Sequence, residues 1–156
     1  MTRNEKYMTL ALQQAQLAME LGEVPVGAVV VHRNRVIAQA YNTREAHNNA
    51  LAHAEITAIH EACIALGSWR LQDCELFVTL EPCPMCAGAS INARISRIIY
   101  GASDPKAGCA GSVTDLFRLP FNHKPEVIGG VLEQSCAKIL HYFFKDIRKL
   151  YLFSQS

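Results

Sequence analysis

The chain has 156 residues, 50% hydrophobic and 19% charged, with a formal net charge of +1. Folding at that length buries roughly 68–70% of the unfolded chain's surface, so a single domain spanning 1–156 can be held by its own core. The composition excludes a disordered, low-complexity or repeat chain, and the near-neutral balance excludes any global electrostatic argument for a polyanionic partner.

Thr2 followed by Glu5 has the spacing of a capping box, and Met8, Leu12, Ala15 and Met19 follow at three- or four-residue intervals toward Gly22. These features predict a first amphipathic helix. "VGAVVVH" and "RVIAQAY", separated by Arg33-Asn34, predict an antiparallel hairpin. From His53 to Leu66 the pattern is helical, with Ile56, Ile59, Cys63 and Leu66 as its apolar stripe and Gly67 as its stop. "CELFVTL" is a buried strand, "PMCAGASINAR" a short helix begun by Pro84, and "SRIIYG" a further strand. The long Gly-, Pro- and Ser-bearing segment after it has the marks of a functional loop. "EVIGGVL" is expected as the last strand, leading into a helix from Glu133 to about Leu150. The order α-β-β-α-β-α-β-β-α predicts a three-layer α/β/α domain with a mixed sheet of about five strands.

No run of 18 apolar residues occurs and the opening lacks the apolar stretch of a signal peptide, so the expectation is a soluble, cytoplasmic protein without a membrane partner. In that setting the six cysteines are expected as reduced thiols. Cys83 and Cys86, at i and i+3 of a helix begun by Pro84, lie roughly 60° apart around the axis, so their sulfurs converge. The helix N-terminus favours thiolate, which suits a metal ligand and a redox pair equally, and position alone does not choose between them. Cys63, Cys74, Cys109 and Cys136 are scattered singly, which argues against a four-cysteine zinc site and suits buried or idle thiols. His53, at the predicted start of another helix, can complete a three-ligand site with an open position. Glu55, two residues on, is placed to take a proton from a water at such a site. His60-Glu61 begins like the HExxH signature, but Ile64 stands at the closing position and excludes it.

"HAE" at 53–55 together with "PCPMC" at 82–86 resembles the zinc-dependent deaminase pattern of the cytidine/deoxycytidylate deaminase superfamily. "GEVPVGAVVV", "YNTRE", "GSWRL", "VTLEPCPMCAGA", "YGASDPKAGCAGS" and "FNH" extend the resemblance over nearly the whole chain, toward the bacterial tRNA-specific adenosine deaminases. The resemblance implies a cytidine-deaminase-like fold and one Zn²⁺ per subunit held by His53, Cys83 and Cys86. It implies hydrolytic conversion of the wobble adenosine of a tRNA anticodon to inosine, with Glu55 moving the protons, by a homodimer.

The same resemblance implies that Asn42 binds the target nucleoside, that Asp104 and Lys106 meet its sugar and backbone, and that Phe144, Lys145 and Arg148 touch the anticodon arm. Ser103 stands where family members often carry an acidic residue. Each assignment has a plainer alternative: Asn42 as a turn cap, Asp104 before Pro105 as turn chemistry, and one or both of Phe143 and Phe144 as core. Between Cys136 and Leu152, four cations against Asp146 leave a local net of +3, either a phosphate-neutralising strip or a solvated face. A deaminase of a free base or nucleoside, such as guanine or cytosine, shares the metal pattern, and a non-catalytic zinc or redox module is the third possibility.

Overall fold

The computed structural model describes residues 1–155. α1 (Arg3–Glu20) begins with the expected box: the Glu5 N–H donates to the Thr2 hydroxyl at 3.1 Å, and the Thr2 N–H donates to the Glu5 carboxylate at 3.0 Å. β1 (Gly27–His32) and β2 (Arg35–Tyr41) form the antiparallel hairpin. Arg33 (φ 49°) and Asn34 (φ 63°) both take left-handed conformations, the geometry of a type I′ turn, whose twist matches that of the strands it joins. The Arg3 Nε–H donates to Asn34 Oδ1 at 2.9 Å and ties the turn to the start of α1.

α2 (Ala54–Leu66) ends at Gly67 (φ 61°), whose N–H and that of Ser68 return to the Ile64 and Cys63 carbonyls. Its deepest face is Ala54, Glu55, Ala58, Ile59 and Ala62, whereas Ile56, Cys63 and Leu66 are only partly covered. The expected stripe is therefore rotated. Small side chains let the helix axis lie close to the sheet, and the larger residues flank the contact. β3 (Cys74–Leu80), α3 (Pro84–Asn92) and β4 (Arg97–Ala102) occupy their expected spans, with α3 ending two residues early. β5 (Glu126–Ile128) is shorter than the seven-residue run suggests, because Gly129 lies against the Tyr100 ring and Gly130 (φ 86°) turns the chain away. α4 (Glu133–Gln155) runs past the expected Leu150.

The sheet order is β2-β1-β3-β4-β5; β1 is antiparallel to both neighbours, and β3, β4 and β5 are parallel. Side-chain alternation divides the core between the two faces. Ala28, Val30, Leu76, Val78 and Ile98 pack with α2 and α3, whereas Val29, Val31, Phe77 and Ile99 pack with α1 and with Cys136 of α4. The result is the three-layer α/β/α arrangement with a mixed five-stranded sheet. Two strand glycines let helices approach the sheet closely: a Cβ at Gly27 would overlap the Ala11 carbonyl and Ala15 nitrogen of α1, and one at Gly101 would overlap the Cys136 sulfur. Gly27→Ala is expected to destabilise the fold by about 1–3 kcal/mol, measured as a lower urea midpoint at unchanged slope.

Candidate metal centre and substrate pocket

Because β1 opposes both β2 and β3, those two strands point the same way, and β4 runs parallel to β3. The C-terminal ends of all three thus lie on one edge of the sheet, where open α/β sheets bind their ligands. After β2 the chain leads through Asn42 to His53, the N-cap of α2; after β3 it leads through Glu81 to Cys83, the N-cap of α3. Neither cap side chain bonds its own helix end, so the imidazole and the thiol turn toward each other.

His53 Nδ1 stands 3.6 Å from the sulfur of Cys83 and 3.6 Å from that of Cys86, and the three donor atoms lie within 4.8 Å of one another. This group can hold a metal ion. Its members share protons strongly. The hydrogen bond from Cys86, with help from His53 and against burial, pushes the Cys83 thiol down to about 4. The same bond and burial push Cys86 up, while the hydrogen bond to Cys83 raises His53 against its desolvation. A divalent cation would replace these shared protons, since ligands bind it as thiolates and neutral imidazole.

Glu55, 4% exposed, sits in the first turn of α2, and burial raises the pKa of its carboxyl, opposed by a backbone hydrogen bond and His53. It lines a cavity of about 210 Å³ together with His53, Cys83, Asn42 and Asp104. Val24, Val26 and Leu80 supply apolar walls, and Arg44 and Glu81 line it as well.

Asn42 is buried, its Nδ2 donating to the Val24 carbonyl at 3.3 Å and its Oδ1 accepting from the Arg44 N–H at 3.3 Å. It therefore holds a turn and still keeps one N–H and one lone pair for the cavity. Asp104 Oδ1 likewise accepts from the Lys106 and Ala107 N–H groups at 3.0 and 3.3 Å, an Asx turn at the cavity wall. Lys106 and Ser103 are exposed on the same loop. Phe144, Lys145 and Arg148 do not line the cavity; they lie on the exposed face of α4. Phe143 is 7% exposed and Phe144 45%, so of the two rings Phe144 faces outward.

Cys63, Cys74, Cys109 and Cys136 stay outside the metal group, and burial raises all four, Cys74 to about 11 and Cys136 to about 12. In each case desolvation disfavours the thiolate, the form that a ligand or nucleophile needs. His60 is exposed and also lies outside the group.

Sequence reasoning missed Arg44, Glu23 and Glu81. Glu23, buried, accepts from the Glu45 and Ala46 N–H groups at 3.2 and 2.7 Å and fixes the segment after Asn42. Glu81 does the same for the loop of Asp104. For Glu81 the sequence offers one hint, an acid set inside an apolar stretch, "TLEP", beside Cys83 and Cys86.

The model of the MafB19-like deaminase family matches residues 2–148. The tRNA-specific adenosine deaminase of Bacillus subtilis (strain 168) is 50% identical over 150 residues, 96% of this chain and 93% of that protein. A solved structure from work on A-to-I editing by tRNA:A34 deaminases at the wobble position of transfer RNA superposes with a TM-score of 0.83. It is 48% identical and covers 86% of this chain and 98% of its own. A Bacillus subtilis guanine deaminase structure is 36% identical with a TM-score of 0.64, covering 80% of this chain and 82% of its own. The chain belongs to the MafB19-like deaminase family and, by its 50% identity over 96% of its length, to the tRNA-specific adenosine deaminases within it.

Cys83→Ala removes one of three donors from the metal group. Metal content per chain, read by atomic absorption, should fall to a small fraction of the wild-type value, and full occupancy in the variant would contradict the ligand set.

Proposed function

We propose that the chain is a zinc-dependent hydrolytic deaminase that converts adenosine to inosine at the wobble position of a tRNA anticodon. We propose further that it works in the cytoplasm as a homodimer of single-domain subunits spanning 1–156. The observation that carries the reading is the meeting of His53, Cys83 and Cys86 with Glu55 on one cavity. Zn–S distances of about 2.3 Å and Zn–N distances of about 2.0–2.1 Å at tetrahedral angles put sulfur and nitrogen about 3.6 Å apart. His53 Nδ1 stands 3.6 Å from each sulfur, so the donor set fits that ion. Zinc bound there would supply Lewis acidity that brings the pKa of an activated water from 15.7 to about 7.

The remaining chemistry falls to the protein. Glu55, buried and within the same cavity, takes one proton from water and passes it to ring nitrogen as the C–O bond forms, then takes the second from that oxygen and passes it to the amino group as the C–N bond breaks. Water enters and ammonia leaves, so the reaction balances without a further reactant. Asn42 offers its free N–H and lone pair to the nucleoside, and Asp104 and Lys106 meet its sugar and backbone. The apolar walls of Val24, Val26 and Leu80 cover the flipped base and exclude bulk solvent. Phe144, Lys145 and Arg148, outside the cavity, offer a ring and two cations to the anticodon arm.

The homodimer rests on the family resemblance, and the cytoplasmic setting on the expectation drawn from the sequence. Among the described residues no helix is long and apolar enough to cross a membrane. The free-base alternative has less to support it, because an exposed loop with Asp104 and Lys106 and a basic aromatic helix have no evident use on a free purine.

Inosine formation on an anticodon stem-loop, assayed beside adenosine, cytidine and guanine, tests the substrate; turnover of guanine alone would overturn the reading. Glu55→Gln should keep its metal and lose about 10²–10⁴-fold in rate, because a proton carrier is removed and no ligand is. Neutralising Lys145 and Arg148 together should lower the slope of log affinity against log salt by about 1.4, at about 0.7 per single-strand phosphate contact. An unchanged slope would place the RNA elsewhere.

A further inference from the structure

Glu81 is a buried carboxylate, 2% exposed, for which the proposed chemistry has no use. One of its oxygens accepts from the Asp104 N–H at 3.0 Å and from the Ser112 hydroxyl. The other accepts from the Ala110 and Ser112 N–H groups at 2.9 and 3.1 Å. Gly108 closes over it from another side, where a Cβ would overlap the carboxylate itself. The 104–112 loop is thus wrapped around one anion and bonded to it at both ends, through Asp104 and Ser112, and at Ala110. Hydrogen bonds to a charged acceptor are about twice as strong as neutral ones.

The anchor point matters as much as the bonds. Glu81 is the residue after β3 and lies two before Cys83, so the segment that presents the sulfurs also presents the carboxylate. Two backbone bonds, from the Glu81 N–H to the Ala102 carbonyl at 2.8 Å and from the Cys109 N–H to the Pro82 carbonyl at 2.9 Å, run between the same two stretches of chain. Glu81 also lines the cavity wall next to Asp104. A brace needed only for folding has no reason to sit there.

We propose that Glu81 is a positioning residue: its carboxylate clamps the 104–112 loop to the cysteine-bearing segment and so sets Asp104 and Lys106 in register with the reacting centre. The inference rests on the proposed function in taking the loop's substrate to be RNA. With both of its oxygens taken up by the loop, Glu81 acts through Asp104 and Lys106.

Glu81→Gln is the primary test. An amide keeps one oxygen, so whichever way it turns, its NH₂ meets at least one N–H of the loop, and a donor then faces a donor. Hydrogen exchange of the amides of 104–112 should accelerate by about tenfold or more, the loss expected for one or two charge-assisted bonds. Metal content should stay at the wild-type level. KM for the stem-loop should rise by about tenfold with kcat within about threefold, since the loop contributes binding and leaves proton transfer untouched. Gly108→Ala presses on the same contact from the loop side. It should raise KM comparably, with the double variant far short of the product of the two effects. If Glu81→Gln does not fold, Gly108→Ala and Ser112→Ala carry the same measurements.

Unchanged exchange in the loop would overturn the clamp. Faster exchange with an unchanged KM, or loss of metal alongside it, would overturn the positioning role. Failure of the wild type to deaminate the stem-loop would instead sink the functional reading, and the exchange comparison would still decide the clamp.

Discussion

Everything at this site depends on strand direction. β2, β3 and β4 run the same way, so the three connections that follow them start from one edge of the sheet. The first two connections enter helices there, and the two helix N-termini aim unpaired N–H groups and the positive ends of their dipoles at a common point. That field suits the groups gathered around it. Glu55, Cys83 and Asp104 are acidic or thiolate-forming, and Arg44 is a cation that lines the same cavity. A divalent ion is the natural completion of such a cluster, since it balances charge that helix dipoles balance only in part.

Apart from Glu55, the buried carboxylates divide into two kinds, and the division maps onto the fold. At the opposite edge of the sheet, Glu75 of β3 bonds the guanidinium of Arg3 at 2.6 Å and that of Arg97 at 2.5 Å, and so joins α1 to two adjacent strands. Charge there is met by charge. Glu23 and Glu81 are met instead by backbone N–H groups of the segments after Asn42 and around Asp104. Among the described residues neither forms an ion pair within 4.0 Å. Two irregular segments that would otherwise be the most mobile parts of the site are thereby held on rigid elements before any substrate arrives. Preorganisation of this sort lowers the ordering cost of binding.

What the sequence disclosed follows from the range of each interaction. HxE and CxxC are local patterns on helix ends, and the capping box and hairpin turn are local as well, so each appeared at its expected residues. The buried face of α2 was misjudged because periodicity weights large apolar residues, whereas close packing on the sheet selected Ala54, Ala58 and Ala62. Phe143 and Phe144 are adjacent, about 100° apart on a helix, and only the docking of α4 decides which is covered. Glu23 and Glu81 were illegible for a deeper reason. Their partners lie 22 to 31 residues away and, the Ser112 hydroxyl apart, are backbone amides, which carry no residue identity that a sequence pattern can register.

Substrate choice then has to be located somewhere other than the metal group. A guanine deaminase shares this fold at 36% identity, so the fold itself does not select among nitrogen heterocycles. Selection requires groups that differ between substrates: a sugar and phosphates on one side, a bare base on the other. In this chain the candidates are the Asn42 segment and the Asp104 loop, each fixed by one buried acid, and the exposed cations of α4, which touch neither. The metal cluster can therefore stay unchanged while partners are exchanged. The carboxylates of Glu23 and Glu81 hold those two segments through the backbone N–H groups that each accepts.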